Sequence, residues 1–166
     1  MSDAAAKPAG DGNGTLVAVA ETVTAVVLAA WIGGIAALGA FTARIVFRDL
    51  PRPLAAPTMS TIFRSFDGVV VACVILLAGA VALRLFTHGI RGRADRVALV
   101  AASALVVLGA LDVGFIHPQI EQMFLAGRTL EPAFAALHKL SSRSANLEMV
   151  CAILVLGGHA FARRSR

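Results

Sequence analysis

Four long apolar segments, bounded by arginine or acidic residues, constrain the fold of this chain more than any other feature. Between Glu21 and Arg44 lie 22 consecutive uncharged residues. At about 1.5 Å of rise per residue, an α-helix of this length covers the roughly 30 Å hydrocarbon core of a bilayer. Only 15% of the residues are charged, whereas a soluble domain carries about a quarter. The sequence therefore predicts an all-α protein, a four-helix transmembrane bundle.

The expected spans lie at about 16–43, 68–86, 97–116 and 145–162, within a single membrane domain of residues 15–162. The second span is long enough only if it includes Arg84, whose flexible side chain can reach the headgroups. The third span includes Asp112 and is expected to end before Pro118, because proline cannot continue the helical hydrogen bonds. The fourth span includes Glu148 near its start. An alternative with two spans and two buried soluble helices is disfavoured by the arginine-rich flanks.

Proline residues mark the segment between the first two spans. Pro51, Pro53 and Pro57 predict an extended stretch or a turn rather than a continuous helix. Beyond them, Phe63, Phe66 and other apolar residues recur at three- and four-residue steps and predict an amphipathic helix that leads directly into span two. The same spacing before residue 145 predicts that span four begins as a long helix outside the membrane.

The net charge of +5 comes from arginines just outside the apolar runs, which predicts contact with lipid headgroups rather than with nucleic acid. Four spans place both termini and the loop 84–96 on one side, which carries eight Lys and Arg residues against seven on the other. The eight lie closer to the membrane and favour cytoplasmic termini in a bacterial inner membrane. Residues 1–14 are expected to form a disordered tail and 163–166 a basic tail. A homo-oligomer or a membrane partner is left open.

Ionisable and polar residues gather near one level, at the helix ends that face away from the termini. An ionisable group at the bilayer centre costs roughly 2.5–3.5 kcal/mol on insertion scales, so these residues need a partner or a function. One interpretation is structural: nearby arginines neutralise Asp112 and Glu148 and tie the helix ends together. The other is a pocket for an anion, a metal or a lipid headgroup, or a proton-linked pathway. The candidate residues are Arg44, Arg64, Asp112, His117, His138, Arg143, Asn146 and Glu148.

Motifs that would indicate catalysis or metal binding are few. His117 and His138 are 21 residues apart, without a metal-binding spacing, so the presence of a metal is left unknown. Cys73 and Cys151 fall inside spans and are expected to act as small apolar residues. The common hydrolase, nucleotide-binding and paired-cysteine motifs do not occur in the sequence. No catalytic residue is assigned, and a protein without enzymatic activity and without a cofactor is favoured.

A set of positions, taken in order, carries a resemblance to a known family. Span one contains Trp31-Ile32-Gly33, and the pattern Phe134-x-x-Leu137-His138-x-x-Ser141-x-x-x-x-Asn146 leads into span four. In these features the chain resembles, over about residues 16–161, the transmembrane protein 205-like family of small four-span membrane proteins, whose molecular activity is largely unassigned. The positions that match the family pattern are Trp31, Gly33, His138, Ser141 and Asn146. The resemblance implies that Trp31 and Gly33 serve packing in mid-span.

A more distant similarity, through the Trp-x-Gly opening of span one, links the chain to copper resistance protein D-like and haem-binding membrane modules. Span one contains no histidine, where a haem-binding relative is expected to carry one. The favoured hypothesis is a non-enzymatic membrane protein that binds or passes a small polar or ionic ligand at the shared polar level. The alternatives are a haem- or copper-linked membrane oxidoreductase and a purely structural or partner-binding bundle.

Overall fold

The computed structural model describes residues 11–90 and 92–164, with side chains described for residues 14–51, 53–87, 89–90 and 92–158. The described chain is helical almost throughout. Two short π-helical segments interrupt the α-helices, and we call them the first and the second π-turn. The elements in chain order are α1 (Asp11–Ala36), the first π-turn (Ala37–Thr42), α2 (Ala43–Asp49), α3 (Arg52–His88), α4 (Arg93–Leu111), the second π-turn (Asp112–Ile116), α5 (His117–Leu125) and α6 (Pro132–Arg164).

Four helical spans in the described chain are long and apolar enough to cross a membrane, which confirms the predicted four-helix membrane bundle. Span one joins α1, the first π-turn and α2 over Gly14–Asp49, and span two lies within α3 at Pro53–Thr87. Span three joins α4, the second π-turn and α5 over Arg93–Leu125, and span four lies within α6 at Pro132–Gly158. The protein is an integral membrane protein.

Each span is longer than the uncharged run that predicts it, and most of the additional turns lie on the side away from the termini, which we call the far side. Span one continues to Asp49 and span three to Leu125, while spans two and four already begin at Pro53 and Pro132. The helices therefore project beyond the uncharged runs on the far side. These projecting turns enclose the space in which the candidate site lies.

Two prolines that predict breaks lie inside continuous helical segments. Pro57 is within α3, near its start, where its missing N–H removes one backbone hydrogen bond and the helix continues. Pro118 lies in the first turn of α5, directly after the second π-turn. Proline is tolerated in a first turn, and the wider π-turn moves the preceding carbonyls away from its ring. The predicted turn between spans one and two is present at Leu50 and Pro51, where the backbone is extended and separates α2 from α3. The predictions that Pro57 prevents a helix and that Pro118 ends one are wrong.

The four spans pack as a ring in which α4 lies along α6, α1 along α3, and α3 along α4. Trp31 is fully buried at the centre of this ring, which confirms its predicted packing role. Cys73 and Cys151 are buried free cysteines of the same core, as expected from their place inside spans. On the termini side of Trp31, each span contributes one large apolar side chain that is fully buried. We call these four residues the dry layer: Leu28, Leu77, Leu105 and Val155.

Close approach between spans one and three depends on a glycine. An ideal Cβ placed on Gly109 would lie 2.5 Å from two atoms of the Trp31 ring, so α4 reaches this ring only because residue 109 has no side chain. Helix association in lipid relies on such packing, because removing an apolar side chain from lipid brings no hydrophobic gain. Gly33, by contrast, is exposed, and no described atom of another helix lies within 4 Å of its ideal Cβ. The prediction that Gly33 serves mid-span packing is wrong.

The outer surface of the bundle is apolar on all four spans. Large exposed apolar side chains include Val26, Ile75, Val100 and Ile153, one from each span. Monomeric soluble proteins rarely expose apolar patches of this extent, whereas in a bilayer such a surface faces the acyl chains. The apolar exterior therefore agrees with the four spans in placing the bundle in a lipid bilayer.

The two predicted tails fall largely at the limits of the described chain. The helix α1 begins at Asp11, so residues 11–14 of the predicted tail 1–14 are helical, and residues 1–10 lie outside the described residues. Of the predicted basic tail 163–166, the first two residues belong to α6 and residues 165–166 lie outside the described residues.

Candidate functional site

A cavity of about 650 Å³ lies between the spans on the far side. Its mouth includes Phe47 in α2 and Thr129 in the loop before α6, both of which are exposed. Its deep end is formed by Trp31, Asp112 and Glu148, all of them almost fully buried. Sites for drug-sized ligands have volumes of about 300–1,000 Å³, so this cavity has the dimensions of a ligand site.

Glu148 lies much deeper in the bundle than the sequence predicts. It is sixteen residues from the start of α6 at Pro132, and its Oε2 accepts a hydrogen bond of 3.0 Å from Nε1 of Trp31. Trp31 is near the middle of the uncharged run between Glu21 and Arg44, about 15 Å along the helix from Glu21. The prediction that Glu148 lies at a helix end is wrong. Its carboxyl group lies level with the middle of the uncharged run of span one.

Asp112 reaches the same place from span three. It opens the second π-turn, in which the backbone N–H of His117 donates to the carbonyl of Asp112. The Asp112 side chain lies against the hydroxyl of Ser144 and the carboxyl group of Glu148. Oδ1 of Asp112 and Oε1 of Glu148 are buried and have no hydrogen-bond partner among the described residues. Two acids thus share the floor of the cavity, and each keeps one oxygen without a donor.

A second polar cluster lies on the mouth side of this acid pair. Nδ1 of His117 is 2.7 Å from Oδ1 of Asp67, and Nε2 of His117 is 3.3 Å from the hydroxyl oxygen of Ser141. When Asp67 accepts the hydrogen on Nδ1, Nε2 of a neutral His117 is left to accept from Ser141. The second π-turn brings His117 onto the same face of span three as Asp112, because its hydrogen bonds connect residues five apart.

Two ion pairs lie nearer the far-side surface. Arg64 of α3 pairs with Glu121 of α5 on the wall of the cavity. In the loop before α6, Nε of Arg128 is 2.5 Å from Oε1 of Glu131. Glu131 does not line the cavity. The hydrogen bonds from Arg128 lower the pKa of the Glu131 carboxyl group below its usual value. Glu131 is therefore an ionised acid outside the site.

Most of the candidate residues from the sequence do line this cavity. Those residues are Trp31, Arg64, Asp112, His117, His138, Ser141 and Glu148. Arg44, Arg143 and Asn146 are exposed and do not line it. The ion pairs seen among the described side chains connect neither buried acid to an arginine. The prediction that arginines neutralise Asp112 and Glu148 is wrong, and both acids are buried in the bundle interior.

Several polar residues of the cavity region are absent from the sequence-derived candidates, among them Asp67, Glu121 and Ser144. Asp67 directly precedes the uncharged run 68–83, and an acid at that place is a usable signal. Ser144 precedes Glu148 by four residues, which places both on one face of α6. Glu121 follows Pro118, where the sequence predicts that the helix has already ended. Because the sequence predicts that span three ends before Pro118, Glu121 is not among the predicted site residues.

The deep end of the site presents hydrogen-bond acceptors, the carboxyl oxygens of Asp112 and Glu148, among mainly apolar side chains. Within the described parts of the chain, no three or more His, Cys, Asp or Glu side chains are placed to hold a metal ion. Buried carboxyl oxygens without donors favour a proton or a positively charged ligand, since either one satisfies them. The arrangement can therefore bind positive charge.

A family model described as a domain of unknown function, DUF4149, matches residues 26–129. The matched segment is more than half of the chain and runs through most of span one and all of spans two and three. It includes Trp31, Asp67 and Asp112, and it ends before α6, which carries Ser141 and Glu148. No curated protein and no solved structure matches the chain.

Proposed function

We propose that this chain, which belongs to the DUF4149 family, binds a small organic cation in the cavity between its four spans. The observation that carries the proposal is the acid pair at the cavity floor, Asp112 and Glu148, in which each carboxyl group has one buried oxygen without a donor. A buried polar group without a partner costs about 1–3 kcal/mol, and a charged one costs more. A positive ligand at the floor removes this cost.

The charges along the cavity support a cation rather than an anion. Among the described residues that line it, four are acidic, namely Asp67, Asp112, Glu121 and Glu148, whereas Arg64 is the one arginine or lysine, beside two histidines. Arg64 already pairs with Glu121. An anion at the floor would meet two carboxyl groups in a low-dielectric environment, where repulsion between like charges is strong. A phosphate or another anionic headgroup is therefore disfavoured.

The walls of the cavity support a cation with an apolar body. Phe63, Phe66, Phe124 and Phe134 line the cavity between the floor and the mouth. A cation within about 6 Å of an aromatic ring gains roughly 0.5–2 kcal/mol, depending on its hydration. A strongly hydrated metal ion would gain little from such walls, whereas an amine or an onium ion with apolar substituents would fill them.

Binding of tetraphenylphosphonium, an apolar cation with a fixed charge, to the purified protein in detergent tests this function. Asp112→Asn and Glu148→Gln remove charge at nearly constant volume. A close charge pair is worth about 1.5 kcal/mol or more, so each variant is expected to bind the probe roughly tenfold or more weakly. Glu131→Gln removes an acid outside the cavity and is the matched control. Wild-type protein that does not bind the probe, or floor variants that bind as tightly as the control, would contradict the proposal.

We also propose that the chain is a transmembrane protein 205-like protein of the bacterial inner membrane. The ordered motif from Phe134 to Asn146 lies beyond the matched segment 26–129 and supports kinship with the transmembrane protein 205-like group. The arginines closest to the apolar runs support a bacterial inner-membrane protein with cytoplasmic termini. In that orientation the cavity opens away from the cytoplasm. Passage of the cation across the membrane would then require the dry layer to open.

A further inference from the structure

The two carboxyl groups at the cavity floor present their unpartnered oxygens in the same small space. Oε2 of Glu148 is occupied by the Trp31 indole, and Ser144 lies against Asp112. The oxygens left over, Oδ1 of Asp112 and Oε1 of Glu148, are buried without a donor in the described structure, although the two side chains lie against each other. A single proton bound to one of these two oxygens would make that carboxyl group a hydrogen-bond donor. The unpartnered oxygen of the other group would then be its acceptor.

We propose that the Asp112–Glu148 pair is a site of cation–proton exchange, in which one bound proton leaves for each monovalent cation that binds. This inference rests on the proposed function, because it names the species that the organic cation displaces. Two ionised carboxylates in contact within an apolar wall repel each other strongly, and carboxyl pairs of this kind share a proton. The empty site then carries one negative charge and one proton. The loaded site carries two negative charges and one cation.

The exchange step balances without any further reactant. The O–H bond of the protonated acid breaks, and its electron pair stays on the carboxylate oxygen. The proton passes to water in the cavity or to Nε2 of His117, which lies between the acid pair and the mouth. From there it leaves toward the far side. The net charge of the floor is the same before and after the exchange, so binding of the cation adds no charge to the apolar zone.

Other charged and titratable groups surround the pair on every packed element except span one, which contributes Trp31. Two of the nearer groups are already engaged, since His117 and Asp67 contact each other. Arg64 and Glu121 form a neutral pair at the wall. The acid pair is thus the part of the site whose proton a cation at the floor would displace most directly. The surrounding groups are Asp67 and Arg64 on α3, His117 and Glu121 on α5, and His138 and Cys151 on α6.

The experiment measures protons and cations together on the full-length protein in weakly buffered detergent solution. Tetraphenylphosphonium is added at neutral pH in the presence of a pH indicator, since this probe carries no exchangeable proton. We expect about one proton released per probe bound, and a Kd that rises by up to about tenfold per unit of falling pH. Asp112→Asn and Glu148→Gln should abolish the release, and Glu131→Gln should leave it unchanged.

Infrared spectroscopy of the wild-type protein without probe gives a readout that needs no variant to fold. A protonated carboxylic acid has its own C=O stretching band, and this band is expected to disappear when the probe binds. Probe binding without proton release, or with an unchanged acid band, overturns the exchange and leaves the proposed function intact. Absence of probe binding overturns the proposed function and the exchange together. Proton release of the same size from both floor variants also overturns the exchange.

Discussion

Substitution of Gly109 by alanine tests whether the Trp31–Glu148 contact depends on the close approach of α4. The new Cβ would lie 2.5 Å from Cη2 and Cζ2 of Trp31 and 3.1 Å from Cγ2 of Val74. The Trp31 ring is fully buried and its Nε1 is held by Glu148. It therefore cannot move without breaking that hydrogen bond or displacing its neighbours. Gly79→Ala is the matched control, because an ideal Cβ at Gly79 has no described atom within 4 Å.

The magnitude follows from three contributions to the free energy of unfolding. Alanine in place of a helical glycine stabilises by about 0.5–1 kcal/mol, and this gain is shared by both variants. Overpacking at Gly109 costs about 1–3 kcal/mol. Loss of the Trp31 hydrogen bond to the Glu148 carboxyl group adds about 1.5–3 kcal/mol if the ring rotates away. Gly109→Ala is thus expected to be less stable than Gly79→Ala by about 1–6 kcal/mol.

The two buried cysteines provide the assay, because a dye that fluoresces on reaction with thiols reports when Cys73 and Cys151 become accessible on heating. Gly109→Ala should unfold at a lower temperature than wild type, and Gly79→Ala at the same or a higher temperature. Adding Trp31→Phe to Gly109→Ala removes the ring atoms that clash and should recover part of the loss, with a coupling of roughly 0.5–3 kcal/mol. If Gly109→Ala and Gly79→Ala unfold at the same temperature, the inferred clash is not present in the folded protein.

Three further predictions concern the buried acid, the topology and the cofactor. Glu148→Ala leaves the Trp31 N–H buried without an acceptor and should destabilise by about 1–3 kcal/mol, whereas Glu148→Gln keeps an acceptor and should unfold close to wild type in the same assay. Reporter fusions after Gly89 and at Arg166 should lie on one side of the membrane and a fusion at Gly127 on the other, and an odd number of crossings between Gly89 and Arg166 would refute four spans. The absorption spectrum of the purified protein should lack a Soret band, and a stoichiometric one would support the haem alternative instead.

The four spans could be predicted because each requires only a local property, a run of uncharged residues of bilayer length. The candidate site could be predicted in part for a related reason. Ionisable residues within apolar runs are costly, so Asp112, His117 and Glu148 stand out in the sequence. In the structure these three residues line one cavity. The order of the spans predicts only that they lie near the same side of the membrane.

The depth of the acids could not be predicted, because a charged residue next to an apolar run looks like the end of a span. Glu148 is stabilised inside the bundle by a hydrogen bond from the Trp31 indole, which is 117 residues away in the sequence. The contact between Asp67 and His117 likewise joins residues 50 apart. The second π-turn has no clear sequence signal, yet it carries span three past Pro118 and brings Glu121 to the cavity. Long-range contacts and a local change of helical pitch thus account for most of what the sequence did not indicate.

The dry layer also decides where a membrane potential would act on this protein. The cavity reaches Trp31, one turn from Leu28, so water in the cavity brings the electrical potential of the far side to that depth. The potential then falls over only the remaining part of the bilayer thickness, which makes the field there stronger than that in the surrounding lipid. Moving one charge across the membrane changes its energy by about 2.3 kcal/mol per 100 mV, and nearly all of that change falls on the dry layer. Four uncharged side chains would therefore experience most of the transmembrane voltage.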